Sequence, residues 1–423
     1  MRKIALFFLP LVCFTAFSQT NKFDFGSGET AKGHTKVDAG SFYTAQAGFG
    51  WMKGSAPVAG RGFISSEKPL FFTVDIPEGN YDITLLFGED SETTLKVENR
   101  RLMLEKVLAP KGKTVSRNIT VSVRSPLIVG KDSVKLKPRE MAYLQWDRQL
   151  TFEFTGPKPK IARIEIKPKT QVKTIFLAGN STVVDQALEP YSSWGQMIPR
   201  FFAPGKVVIA NYAESGESIQ SFVTERRLAK IESQIRKGDY LFIEFAHNDK
   251  KIKDFDAFDK YADYLRKYID GIREKGGIPV LVTSMPRRNF DQNGKIINTL
   301  GDFPEAMRGV AREKNTLLID LNEMAGVLWE SLGEETSKLA FVHYPANVFP
   351  GQTKPIEDNT HFSNYGAYEL AKCMVEGIKK KIPELSALLL KDLKTFDPQH
   401  PDDPKTFDFP LSPVAEVIKP DGN

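Results

Sequence analysis

Between residues 21 and 170 apolar and polar positions alternate in short bursts. The runs LFFTVDI (70–76), YDITLLFG (81–88), TTLKVEN (93–99), RNITVSVR (117–124), LTFEF (150–154) and ARIEIKP (162–168) are separated by Gly, Pro, Asn and Lys turns. A period of two over such lengths predicts half-buried strands, and no long helical period interrupts them. This part of the chain reads as an all-β sandwich, 21–170. The polar stretches GPKPK and KPKTQVK close it.

From residue 172 the pattern changes. TIFLAG (174–179), KVVIANYA (206–213), DYLFIEFAHND (239–249), IPVLVTSM (278–285) and TLLIDL (316–321) are nearly continuous apolar strands. Helical stretches near 193–202, 218–236, 255–276 and 303–314 lie between them. Strands without alternation are buried on both faces, so the expected architecture for 172–392 is α/β, a parallel sheet covered by helices. Sites in such folds lie at the carboxyl ends of the strands. Ser181, Gly216, Asn248 and Arg287 each follow a strand. The Pro- and Asp-rich tail, 393–423, repeats Lys-Thr-Phe-Asp and is expected to pack its phenylalanines along the α/β part.

The first residues read differently. Arg2 and Lys3 precede an apolar run to Phe17, and Ala16-Phe17-Ser18 has the form of a cleavage site. Residues 1–18 are therefore expected to be a secretory signal peptide, implying export to a bacterial periplasm or the exterior. No later segment is long and apolar enough to predict membrane insertion. Of two cysteines, Cys13 falls in the leader, which leaves Cys373 without an intrachain partner. Lys and Arg total 58 against 53 Asp and Glu, a formal charge of +5 without a dense basic block. That excludes nucleic-acid binding as the first reading and leaves room for an anionic substrate.

Gly179-Asn180-Ser181, taken alone, is turn chemistry. Ester cleavage by a serine needs a hydroxyl, a base, a carboxylate to orient the base and donors for the oxyanion. His361 stands three residues after Asp358 in a predicted loop before a helix that Ser363 is placed to cap. Asn248 and Gly216 end two other strands and are candidate oxyanion donors. Either can equally be plain turn chemistry, and His247 reads as structural or as an edge of the substrate site.

In combination, Ser181, Gly216, Asn248 and Asp358-x-x-His361 occur in the order of the four blocks of the SGNH branch of the GDSL hydrolases, which this chain resembles. The resemblance implies a flavodoxin-like three-layer fold with no metal or organic cofactor. It implies Ser181 as nucleophile, His361 as base and Asp358 as its orienting acid. The Ser181 and Gly216 N–H groups and the Asn248 side chain are then the oxyanion hole. Two positions depart from the family pattern: Asn180 replaces its usual aspartate, and Ala246 its usual glycine.

Within that group VTSMPRRNF, FPEAMRGVAREKNTLLIDLNEMA and EDNTHFSNYGAYELA look like bacterial rhamnogalacturonan acetylesterases. The N-terminal FDFGSG and TTLKVENRRLMLE look like a galactose-binding-like sandwich. The expected substrate is an acetylated pectic polysaccharide, with Arg287 and Arg288 as candidate clamps for its carboxylates. Trp194 is a candidate either to stack on a sugar or to pack beneath the first loop. Other readings stay open: an esterase for acetylated xylan or another glycan, a lysophospholipase-like hydrolase, or a non-catalytic glycan-binding protein.

Overall fold

The computed structural model describes residues 21–128, 130, 132–413 and 418–421, so the expected leader at 1–18 lies outside the described residues. Alternation along Gly79–Phe87 turns Tyr81, Ile83, Leu85 and Phe87 into one buried face. That strand lies between Val115–Val123 and Lys160–Pro168, and the sheet continues through Asn21–Phe25 to Thr35–Val37. The facing sheet runs Phe49–Trp51, Leu70–Asp75, Gln149–Lys158, Ser91–Val97, Arg101–Ala109. Between them Phe23, Phe25, Trp51 and Phe72 meet, three of the contacts edge-on, as aromatic quadrupoles prefer. This is a β-sandwich.

It is followed by an α/β unit whose parallel strands lie in the order Val207–Asn211, Lys173–Gly179, Tyr240–Glu244, Ile278–Val282, Leu317–Ile319. In chain order this is 2-1-3-4-5, the flavodoxin-like winding. Each strand feeds two cores: Ile175 and Leu177 pack on one side, Phe176 and Ala178 on the other. Helices Leu321–Thr336 and Asn364–Lys381 cover the first side. Ile219–Thr224, Arg227–Gln234, Ala262–Glu274 and Phe303–Glu313 cover the second. The helix expected over 218–236 is in fact two, because Arg226 adopts a left-handed φ of 67° between them. That expected near 193–202 is one turn, Trp194–Met197, continued as a 3-10 turn.

The sandwich and the α/β unit share buried charge. Arg101 donates to Asp185 Oδ2 through Nε and Nη2 at 3.0 and 2.8 Å, and Asn211 Nδ2 donates to Asp185 Oδ1 at 2.8 Å. Arg100 pairs with Glu189 at 2.6 Å and donates to the Tyr191 carbonyl at 2.8 Å. Arg227 of the α/β unit meets Glu140 of the sandwich side at 2.5 Å. The tail passes along helix Asn364–Lys381, where Phe407 packs on Tyr365 and Tyr368. It then enters between the units. Lys96 Nζ donates to the Pro410 carbonyl and Ser412 Oγ, while the Ser412 N–H donates to Glu189. Cys373 is buried and free, and burial raises its thiol well above the usual range.

Candidate active site

Strand Lys173–Gly179 lies second in the sheet; its own connection leaves toward Val207–Asn211, while that of its neighbour Tyr240–Glu244 leaves the opposite way, toward Ile278–Val282. This is the switch point where α/β folds open a crevice. The chain turns sharply there. Asn180 Oδ1 accepts the Thr182 N–H and hydroxyl at 3.1 and 2.8 Å, and the Asn180 carbonyl accepts the N–H groups of Val183 and Val184. The turn needs an oxygen at position 180 and no charge, so asparagine builds it. A Cβ on Gly179 would stand 2.5 Å from Val183 and 3.0 Å from the Glu244 carbonyl, so only glycine lets the turn close. Ser181 sits at its apex, with its carbonyl held by Gln186 Nε2 at 2.7 Å.

Asp358 and His361 lie on a strand, Ile356–Phe362, and not in the loop expected from the sequence. Residues three apart on a regular strand point to opposite faces. Here the pairing with Phe341–Tyr344 skips: Phe341 faces Phe362 while Val342 faces Asp358. The intervening residues bulge out, and the Asp358 carboxylate folds back onto them. Its Oδ1 accepts the N–H groups of Thr360 and His361 at 2.8 and 3.0 Å. Its Oδ2 lies 2.8 Å from His361 Nδ1, and His361 Nε2 lies 2.9 Å from Ser181 Oγ. The relay is unbroken from carboxylate to hydroxyl.

Burial works against the Asp358 charge, but the His361 hydrogen bond and charge and the two backbone donors outweigh it. The carboxyl is held well below the usual range. It stays an anion, which favours the Nδ1–H tautomer and leaves Nε2 facing the Ser181 hydroxyl as an acceptor. Tyr191 stands edge-on to the imidazole, ring centres 5.8 Å apart at 89°. That strand and the loop after Ser181 are also tied directly, the Ser192 N–H donating to the Phe362 carbonyl at 2.9 Å. Ser363 caps the following helix, its Oγ accepting from the Gly366 N–H.

Gly216 ends the loop after Val207–Asn211 with φ +82°, a conformation suited to glycine. Among the described residues neither the Ser181 nor the Gly216 N–H donates to a protein acceptor. Asn248, after Tyr240–Glu244, gives one amide hydrogen to the Glu217 carbonyl at 2.9 Å, which places its side chain beside the Gly216 loop. The three candidate donors thus come from the three adjacent strands at the switch point.

The four candidate substrate residues separate. Arg287 is half-buried, its Nε and Nη2 lack partners among the described residues, and its charge is felt by Asp358 and His247. Arg288 does not fit a clamp: its guanidinium is spent on Ser337 Oγ, Asn359 Oδ1 and the Glu334 carbonyl, and it holds the Asn359 segment. His343 Nε2 holds the same Asn359 oxygen at 2.8 Å. Trp194 corrects the stacking expectation. It is fully buried with Nε1 donating to Glu244 at 2.9 Å, so no ring face is offered to a sugar. His247 is 1% exposed, and neither ring nitrogen has a partner among the described residues. Burial, then Arg287, Lys250 and His361, keep it neutral.

Sequence reasoning missed the groups that brace these loops from the sandwich. Arg100 holds the carbonyls of Gln186 and Tyr191, and Lys137 and Arg139 both reach the Ser215 carbonyl. No periodicity or spacing marks them. It also missed Lys419, whose ammonium lies 3.5 Å from Asp358 Oδ2.

Residues 177–366 match the model of the GDSL-like lipase/acylhydrolase family, a span that contains Ser181, Gly216, Asn248, Asp358 and His361. Rhamnogalacturonan acetylesterase RhgT of Bacillus subtilis (strain 168) is 45% identical over 208 residues, covering 49% of this chain and 89% of that protein. Probable rhamnogalacturonan acetylesterase YesY of the same organism is 34% identical over 223 residues, 52% of this chain and 98% of that protein. The uncharacterized esterase YxiM, also from that organism, is 23% identical over 377 residues, 85% of this chain and 91% of that protein. The chain belongs to the GDSL-like lipase/acylhydrolase family and is a serine carboxylic ester hydrolase.

Proposed function

We propose that the protein removes O-acetyl groups from pectic rhamnogalacturonan through an acyl-enzyme on Ser181. The observation that carries the mechanism is the relay Asp358–His361–Ser181, closed by contacts of 2.8 and 2.9 Å. His361 Nε2 takes the hydroxyl proton as Ser181 Oγ attacks the acetyl carbonyl. The oxyanion is received by the Ser181 and Gly216 N–H groups and by the second amide hydrogen of Asn248. His361 returns the proton to the sugar oxygen as it leaves, then activates the water that releases acetate.

Arg287 supports this substrate class. Its unpaired donors, with the charges of Lys250, Lys251 and Lys419 nearby, suit the carboxylate of a galacturonate backbone. Names of the relatives support the same polymer. Export by the 1–18 leader, which would bring the enzyme to a polymer outside the cytoplasm, is part of this reading. N-terminal sequencing of exported protein tests it and should begin just after Ser18.

The test of function is acetate release from acetylated rhamnogalacturonan and acetylated xylan, side by side, by wild type and Ser181→Ala. Release chiefly from the pectic polymer, lost in the variant, is expected. Release chiefly from xylan would keep the mechanism and overturn the substrate.

A further inference from the structure

The Ser215–Gly216 peptide has cations on one edge and an open donor on the other. Its N–H is the candidate oxyanion donor. Its carbonyl accepts from Lys137 Nζ at 2.7 Å and from Arg139 Nη2 at 2.8 Å. Both cations come from the Pro138–Ala142 turn of the sandwich side and its N-cap Lys137, and not from the α/β unit that carries the relay. They are themselves fixed. Lys137 pairs with Glu217 at 2.5 Å, and Arg139 with Glu214 at 2.8 Å and with the Asp421 carboxylate. The turn is anchored by Glu140, fully buried, which accepts from the Lys137 N–H, Trp146 Nε1 and Arg227 at 2.8, 3.0 and 2.5 Å.

A cation bonded to an amide oxygen draws electron density through the C–N bond. The N–H of the same amide becomes the stronger donor, as in any polarised hydrogen-bond chain. Two such cations also fix the plane of the peptide, and with it the direction of the N–H. A catalytic oxyanion hole depends on that strength and direction being present before charge develops.

We propose that Lys137 and Arg139 are positioning residues of the oxyanion hole: they act through the Ser215 carbonyl to orient and strengthen the Gly216 N–H. The sandwich is then a working part of the active site. The inference rests on the reading of Gly216 as an oxyanion donor.

The test uses the full chain, with p-nitrophenyl acetate as substrate and methylboronic acid as probe, since its serine adduct carries a tetrahedral anionic centre. Lys137→Met is expected to lower kcat about tenfold, less than the loss of a whole donor, with KM little changed. The boronate inhibition constant should rise by a similar factor. Lys137→Gln, a neutral donor, should stay slow, and Lys137→Arg should recover. A merely structural anchor would be replaced by Gln as well as by Arg, so full activity in Lys137→Gln overturns the proposal. So does wild-type kcat and boronate affinity in Lys137→Met; if that variant does not fold, the Gln and Arg pair decides. Ser181→Ala in the same assay separates the two failures. If it keeps activity, the reading of the site falls and this inference with it. If it is inactive while Lys137→Met and Arg139→Met match wild type, the serine mechanism stands and the inference falls.

Discussion

Asp358 uses one oxygen to shape the bulge and the other to orient His361. Replacing it by Asn keeps the shape but offers Nδ1 no anion. Turnover of p-nitrophenyl acetate by Asp358→Asn is expected to fall about 10³–10⁴-fold with little loss of stability. Asn248→Ala removes one of the proposed oxyanion donors and should cost about 10²–10³-fold in kcat. Glu244 makes a separate prediction. Burial pushes its carboxyl up to about 7 against hydrogen bonds from Trp194, Ser284 and Thr182. The folded protein thus keeps a proton that the unfolded chain releases near the ordinary carboxylate pKa. The folded state binds more protons in that window, so this group's contribution to stability falls as pH rises from about 4.5 to about 7. Glu244→Gln mimics the protonated acid: its oxygen can accept from Trp194 while its amide donates to the two hydroxyls. Urea unfolding should show the variant gaining on the order of 2 kcal/mol relative to wild type between pH 5 and pH 8. A variant equally destabilised at both pH values would contradict the assignment.

At the scale of elements, the strands were legible because their periodicity answers directly to burial. The alternating runs of 70–168 and the continuous runs of 174–319 became the two kinds of sheet. Ser181, Gly216 and Asn248 were legible for the same reason, since each follows a strand end. The bulged strand under Asp358 was not, because its geometry comes from a skipped register against Phe341–Tyr344, a pairing that no local pattern encodes. Trp194 was ambiguous because an aromatic after a loop packs or binds with the same composition. Only its partner Glu244, 50 residues on, decides. The helix that follows His361 shows how closely these elements meet. A Cβ on Gly366 would stand 1.9 Å from the Ala340 carbonyl. Gly366→Ala is expected to displace the start of helix Asn364–Lys381, costing about 1–3 kcal/mol in unfolding and lowering activity through His361.

In the whole molecule the two units are joined by charges that neither can leave unpaired. Arg100, Arg101 and Glu140 on the sandwich side meet Glu189, Asp185 and Arg227 on the other, all nearly or fully buried. Stripping one member from a buried pair costs about 3–5 kcal/mol, because the other stays charged in a low dielectric. A chain beginning at Lys173 is therefore expected to be unstable and inactive on p-nitrophenyl acetate, and not merely weak on polymer. A soluble truncate with wild-type kcat would contradict this. Such partnerships were invisible in the sequence. Arg100 and Arg101 lie in a run quoted only for its resemblance, and Lys137 and Arg139 in an unremarkable Lys-Pro-Arg-Glu turn. Contacts across 75 or more positions are set by the fold and not by local composition.

In the proposed function Ser181 is the one activated nucleophile, with His361 as its base. The direct measurement is peptide mapping by mass spectrometry after reaction with a fluorophosphonate. One adduct per chain is expected, on Ser181, absent from His361→Ala. An adduct on another residue, or none while ester hydrolysis continues, would contradict the account.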